Sequence, residues 1–161
     1  MGNKKIINIL KFLVSIVVCQ LAGYIGSIFT MPEIGGWYSA LRKPSFSPPN
    51  WIFAPVWTTL FLLMGIALYL VWQKEKSSAS KGTAILVFFF QLVLNILWSV
   101  LFFGFRSPLA GFIEIIGLWV MILFTMDTFY EISETSAWLL LPYILWVTFA
   151  GVLNFFLWWL N

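Results

Sequence analysis

The sequence predicts an all-α integral membrane protein: a bundle of five transmembrane helices with a long structured first loop. Three observations carry that prediction. Of 161 residues, 61% are hydrophobic and only 9% charged, with a mean hydropathy of +0.96. Soluble domains carry about 45–50% apolar and about 25% charged residues, so these charges are too few to cover a soluble globule. Five long stretches are almost free of Asp, Glu, Lys and Arg, each near the roughly 20 residues that cross a bilayer core of about 30 Å. Runs such as Ala84-Ile85-Leu86-Val87-Phe88-Phe89-Phe90 do not alternate, which excludes the strands of a membrane barrel. A soluble enzyme, a disordered segment and a nucleic-acid binder are excluded with them. The chain has no His and one Cys, so His triads, His metal sites, His-ligated haem and an internal disulfide are excluded as well.

The chain reads as one domain, 1–161. The first span, about 8–30, follows Lys4 and Lys5 but is too long for the apolar core of a signal peptide, and no clear cleavage site follows. It reads as a retained helix. Segment 31–50 holds Pro32, Gly35-Gly36, Pro44 and Pro48-Pro49 together with Trp37, Tyr38 and Phe46. Flexible loops lack such aromatics and proline restricts the unfolded chain, so a semi-rigid lid over the outer mouth of the bundle is expected. The second span is about 51–72. Residues 73–82 read as a solvated linker. The third span, about 83–104, ends in a tight turn with Pro108 suited to start the next helix. The fourth, about 107–129, is interrupted only by Glu114. The fifth is about 136–159, with Pro142 able to kink it. Six Lys on one side (Lys4, Lys5, Lys11, Lys74, Lys76, Lys81) against Arg42, Lys43 and Arg106 on the other place the N-terminus in the cytoplasm. No internal repeat is visible, which argues against an inverted-repeat transporter.

Polar groups in lipid are costly, so each one needs a role. Gln91, Asn95 and Trp98 share one helical face by their spacing, as do Tyr143, Trp146, Ala150 and Asn154. Two readings stand for them: the wall of a ligand cavity, or hydrogen bonds that hold the helices together. Glu114 reads as a bond to a neighbouring helix or as part of a proton path. Trp72, Trp158 and Trp159 fit an interfacial belt, and Trp37, Trp51, Trp57 and Trp138 could join it. Ala22 and Gly26 form a small-xxx-small pair, a weak signal for dimerisation.

The stretch from Trp37 through Arg42-Lys43-Pro44-Ser45-Phe46-Ser47-Pro48-Pro49-Asn50-Trp51 to Trp57 resembles the first loop and second helix of the tryptophan-rich sensory protein and translocator protein (peripheral-type benzodiazepine receptor) family. The likeness continues at Gln91 to Trp98, Phe102 to Arg106, Leu141-Pro142-Tyr143, Trp146 and Phe149 to Asn154. The resemblance implies a five-helix bundle, often a homodimer, that binds porphyrins and flat aromatic ligands inside the bundle under the first loop. It implies no cofactor or metal, with a protoporphyrin-type tetrapyrrole as ligand or substrate, and the lipid bilayer as the other partner. It also implies tetrapyrrole sensing or transport, and for some bacterial members light-driven oxidative degradation of protoporphyrin. On that resemblance Trp51 and Trp138 flank the porphyrin and carry the oxidative chemistry. Ser27, Gln91, Asn95, Trp98, Trp146, Ala150 and Asn154 are pocket positions, and Arg42 or Lys43 meets the propionates. The final segment departs from the family's sterol pattern: Phe155 and Phe156 stand for the Tyr pair and Trp159 for the Arg, so sterol binding by that route is not expected. Chain size, the lack of an organellar presequence and the Lys bias suit a bacterial inner membrane.

Overall fold

The computed structural model describes residues 2–74 and 78–161. In chain order the elements are α1 (Gly2–Ile34), a short α2 (Trp37–Ala40), a 3-10 turn (Asn50–Ile52), α3 (Phe53–Gln73), α4 (Ser78–Ser99), a π-helical turn (Val100–Gly104), α5 (Pro108–Tyr130), a short α6 (Glu134–Leu139) and α7 (Leu141–Leu160). Five segments are long and apolar enough to cross a membrane: Lys4–Ile34, Asn50–Gln73, Ser80–Gly104, Pro108–Tyr130 and Glu134–Leu160. Among the described residues there is no strand. Helices suit this composition because they satisfy their own backbone groups where no water is available.

The burial pattern reverses that of a soluble bundle. On α4 the inward face carries Ala84, Phe88, Gln91, Asn95 and Ser99, at spacings of four, three, four and four. Its outward face carries Leu86, Phe90, Val93 and Leu97, all exposed. Apolar side chains therefore face the hydrocarbon, and the polar ones turn toward other helices.

The main packing pairs are α1 with α3, α4 with α5, α5 with α7 and α1 with α4, while α6 wedges against α3 and α5. Small residues permit the closest approaches. At Gly65 a Cβ would lie 2.8 Å from Ile16 Cδ1, 2.9 Å from Ile16 Cα and 3.1 Å from the Ser15 carbonyl oxygen. Backbone cannot move aside as a side-chain tip can, so glycine sets the α1–α3 separation. Ala22 and Gly26 also point inward. Both are buried, and a Cβ on Gly26 would meet Ser99 Oγ at 3.0 Å. Gly26 thus serves the packing of α1 onto α4 within one chain, and Ala22 is buried in the same core.

Helix ends differ from expectation in three places. α1 runs through Pro32 to Ile34, so the connecting segment begins at the Gly35-Gly36 turn. Pro32 removes one hydrogen bond near the helix end, where little remains to break. Glu33, one residue on, is fixed by Arg106, whose Nε and Nη2 donate to its two carboxylate oxygens at 3.1 Å each. The last span is broken at Leu140, one residue before α7 and two before Pro142, and the ladder restarts with the Ile144 N–H donating to the Leu140 carbonyl at 3.1 Å. The third span ends in a π turn, in which the Phe105 N–H donates to the Val100 carbonyl at 2.8 Å. The extra residue in that turn lets two consecutive phenylalanines, Phe102 and Phe103, both be buried. Arg106 follows with φ 51°, a left-handed residue that ends the segment. Ser107 then caps α5 by accepting from the Ala110 N–H at 3.2 Å.

The segment between α1 and α3 packs across one end of the bundle. Tyr38 is buried against Phe102 and Phe103, Trp37 lies edge-on to Phe102, and Phe46 meets Phe149 and Phe156. Burial pushes the Tyr38 phenol above its ordinary range, while its hydrogen bond with Ser47 pulls the other way. Lys43 Nζ sits 4.5 Å from the centre of the Tyr38 ring. Asn161 fastens the other side: its Oδ1 accepts from the Arg42 N–H at 2.9 Å, and its Nδ2 donates to the Arg42 carbonyl at 3.0 Å.

Gly65→Ala should force α1 and α3 apart and cost about 1–3 kcal/mol, the usual range for overpacking. Thermal unfolding of the purified protein in detergent checks this. Gly82→Ala, where a Cβ meets nothing within 4 Å, should leave the midpoint within a degree or two of the parent.

Candidate functional site

α3 and α7 face each other without close backbone packing. Aromatic side chains fill the seam between them. Phe53 of α3 lies edge-on to Trp146 of α7 at a centroid distance of 5.9 Å, and Trp57 meets Tyr143 at 6.4 Å. Trp57 also leans on Phe61 at 5.8 Å. Phe53, Trp57 and Phe61 stand four residues apart, so they form one ladder down a single face of α3.

The opposite wall comes from α4. Asn95 Nδ2 donates to the Tyr143 hydroxyl oxygen at 2.7 Å, and that hydroxyl donates to Gln91 Oε1 at 2.9 Å. Gln91 Nε2 has only a weak contact to Met64 Sδ at 3.9 Å. One turn further along, Trp98 Nε1 donates to Asn154 Oδ1 at 3.0 Å, and Asn154 Nδ2 donates to the Pro108 carbonyl at 2.7 Å. Both bonds reach buried partners: Gln91, Tyr143 and Asn154 are each no more than 1% exposed. Asn154 therefore ties α7 to α4 and to the first turn of α5. The Trp98 ring stacks on Phe102 at 5.1 Å, which links this wall to the π turn and, through Tyr38, to the segment above it.

Two buried polar groups in the region have no hydrogen-bond partner among the described residues. One is the Trp146 indole Nε1, in the α3–α7 seam. The other is Glu114, both of whose carboxylate oxygens are buried. Its expected bond to a neighbouring helix is not made here. Among the described residues no group of three His, Cys, Asp or Glu is placed to hold a metal.

Hydrogen bonds join Gln91, Asn95 and Trp98 of α4 to Tyr143 and Asn154 of α7, Trp146 meets Phe53 of α3, and Ala150 is buried in the core. The hydrogen bonds give the polar members an interhelical role in the protein as it stands. Ser27 spends its hydroxyl on the Tyr24 carbonyl at 2.7 Å, within its own helix. Lys43 is engaged with the Tyr38 ring, and Arg42 is held through its backbone. Trp51 and Trp138 do not meet. Trp51 is 73% exposed in the 3-10 turn before α3, at the end of the bundle where α1 finishes. Trp138 is 60% exposed in α6, at the end where α1 begins. Both rings are exposed, and among the described residues no ring contact joins them to each other or to the seam. The expectation that they flank a common ligand therefore has no contact in this structure to support it. The indoles that do face the seam are Trp57 and Trp146. Trp57 escaped notice because an indole near a span's end reads equally well as an interfacial anchor. The signal that distinguishes it is the four-residue ladder with Phe53 and Phe61.

Fold and site define an integral membrane protein with a closed aromatic and polar interior. Residues 15–160 match the TspO/MBR family model, and the chain belongs to that family. It is 46% identical over 154 residues to tryptophan-rich protein TspO of Archaeoglobus fulgidus, covering 96% of this chain and 99% of that protein. It is 37% identical over 141 residues to the translocator protein of Bos taurus, covering 86% and 83%. It is 33% identical over 144 residues to the tryptophan-rich sensory protein of Cereibacter sphaeroides, covering 89% and 87%.

Tyr143→Phe removes the hydroxyl that serves both Asn95 and Gln91 while keeping the ring against Trp57. Interhelical hydrogen bonds within membranes average about 0.6 kcal/mol, with a maximum near 1.7. The variant should therefore lose roughly 1–2 kcal/mol, read as a lower unfolding midpoint in detergent. Asn95→Leu in the Tyr143→Phe background should add much less than it does alone, since the two share one bond.

Proposed function

We propose that this protein is a membrane receptor or sensor for flat aromatic ligands of the porphyrin type, taken into the seam between α3 and α7 beneath the segment 35–49. The observation that carries this reading is the unpartnered Trp146 indole. Buried donors are nearly always satisfied, and this one sits beside Phe53 and Phe149, where a ligand acceptor would complete it. Few convergent polar groups on an aromatic lining is the usual make-up of a site for a flat apolar molecule. The family relationship supports the receptor-like role, and the names translocator protein and tryptophan-rich sensory protein among its relatives agree with it.

In this reading the segment 35–49 is a lid. Its aromatic contacts with Phe102 and Phe103 connect it to Trp98 in the inner wall, so that ligand occupancy biases its closed population. Trp57 and Trp146 are then the indoles nearest the macrocycle. Under illumination they are the oxidisable side chains beside a bound photosensitiser, with dioxygen as oxidant.

Titration of the full-length protein in detergent with protoporphyrin, followed in the dark by Trp fluorescence, should give saturable quenching. Trp146→Phe and Trp57→Phe should each weaken binding roughly five- to tenfold, the worth of one hydrogen bond or ring contact. Trp51→Phe and Trp138→Phe should leave it unchanged. Absence of saturable quenching would overturn the proposal. Under light, bleaching beyond the free-porphyrin control that is lost in Trp146→Phe assigns oxidative chemistry to the site, whereas a stable spectrum leaves a carrier or sensor.

A further inference from the structure

A second recess lies at the opposite end of the bundle from the segment 35–49. It has a volume of about 500 Å³ and is lined by Lys4, Lys5, Asn8, Ile9 and Phe12 of α1 and by Tyr69 of α3. The Tyr69 ring meets Phe12 edge-on at 5.3 Å, so the two helices make a common floor. Lys11, the next basic residue along α1, is turned away from the recess onto the Trp72 ring at 5.8 Å.

The lining is graded along α1. Two ammonium groups come first, then the Asn8 amide, then the side chains of Ile9 and Phe12. From residue 4 to residue 12 the helix rises about 12 Å, which spans the passage from a bilayer's polar headgroup layer into its hydrocarbon core. Lys4 and Lys5 are exposed, and among the described residues neither is paired with a carboxylate. Among the described residues the acids of this end, Asp127, Glu131 and Glu134, belong to the end of α5, the residue after it and the start of α6. Positive charge is thus concentrated on the α1–α3 side.

We propose that this recess is a binding site for one anionic phospholipid. The phosphodiester lies between Lys4 and Lys5, with Asn8 and the Tyr69 hydroxyl as neutral hydrogen-bond donors, and an acyl chain runs along Ile9 and Phe12. Two charges argue for an anionic headgroup. The apolar floor below them argues for a lipid, because a free phosphate ion has no use for Ile9 and Phe12.

Native mass spectrometry of the full-length protein in detergent, with phosphatidylglycerol or phosphatidylcholine added at equal concentration, tests the proposal. The parent should retain one phosphatidylglycerol in preference to phosphatidylcholine. K4Q/K5Q should reduce that retention about tenfold or more, in line with the contribution of basic residues at an anionic surface. Tyr69→Phe, which keeps the ring on Phe12, should reduce it a fewfold. Lys43→Gln, at the other end of the bundle, should match the parent. Equal retention of both lipids, unchanged retention in K4Q/K5Q, or full displacement of phosphatidylglycerol by millimolar inorganic phosphate would each overturn the assignment. None of these readouts depends on the α3–α7 seam.

Discussion

The structure depends on a scarcity of hydrogen-bond partners. In hydrocarbon there is no water to complete a polar group, so a hydroxyl in a span bonds a carbonyl of its own helix or a partner on another, and a side-chain amide turns to another helix. The Tyr143 hydroxyl is the centre of that economy. It receives from Asn95 and gives to Gln91, and so fixes the rotation of α4 and of α7 about their own axes. Asn154 repeats the device about three turns on along α7, with Trp98 and the Pro108 carbonyl as its partners. With these two positions fixed, the aromatic faces of α3 and α7 are set opposite each other, and the outward faces are left to apolar residues alone. Net energies per bond are small, yet the alternative rotations leave several donors without acceptors, and this difference sets the register.

Much of this was legible before any coordinates. Five charge-poor stretches require five helices, and the spacing of Gln91, Asn95 and Trp98 places them on one face whatever they bind. The spacing of Tyr143, Trp146, Ala150 and Asn154 does the same for α7. Which of the two faces meets which was not legible, because periodicity describes one helix at a time. Helix ends were less legible still. Pro32 reads as a stop signal, yet a proline in the last turn has few hydrogen bonds left to break, and the Glu33–Arg106 pair holds that turn in place. The π turn has no compositional signature: Val100-Leu101-Phe102-Phe103 would serve an α-helix equally well. Only the packing of Tyr38 on both phenylalanines explains the inserted residue.

The tryptophans show a different limit. A motif establishes kinship for a whole stretch, whereas a ring's surroundings depend on which end of its helix it occupies. Trp51 precedes α3 and Trp138 precedes α7. Since α3 and α7 run in opposite senses, those two positions lie toward opposite ends of the seam. Trp57 and Trp146 lie further into the same two helices and therefore converge. Counting the alternation of spans would have separated the two pairs. Glu114 is the converse case: it is conspicuous in the sequence, and its carboxyl oxygens are buried with no donor among the described residues.

The π turn at Val100–Gly104 has a mechanical consequence. A π turn contains one residue more than the α turn it replaces, and each residue of an α-helix advances about 100° around the axis. If that residue were taken up into regular helix, everything beyond Gly104 would rotate by about 100° relative to everything before Val100. Phe102 and Phe103 could not then both remain under Tyr38. The inserted residue therefore fixes the phase between the inner wall at Trp98 and the cap over the bundle's end, and gives that cap two rings to rest on.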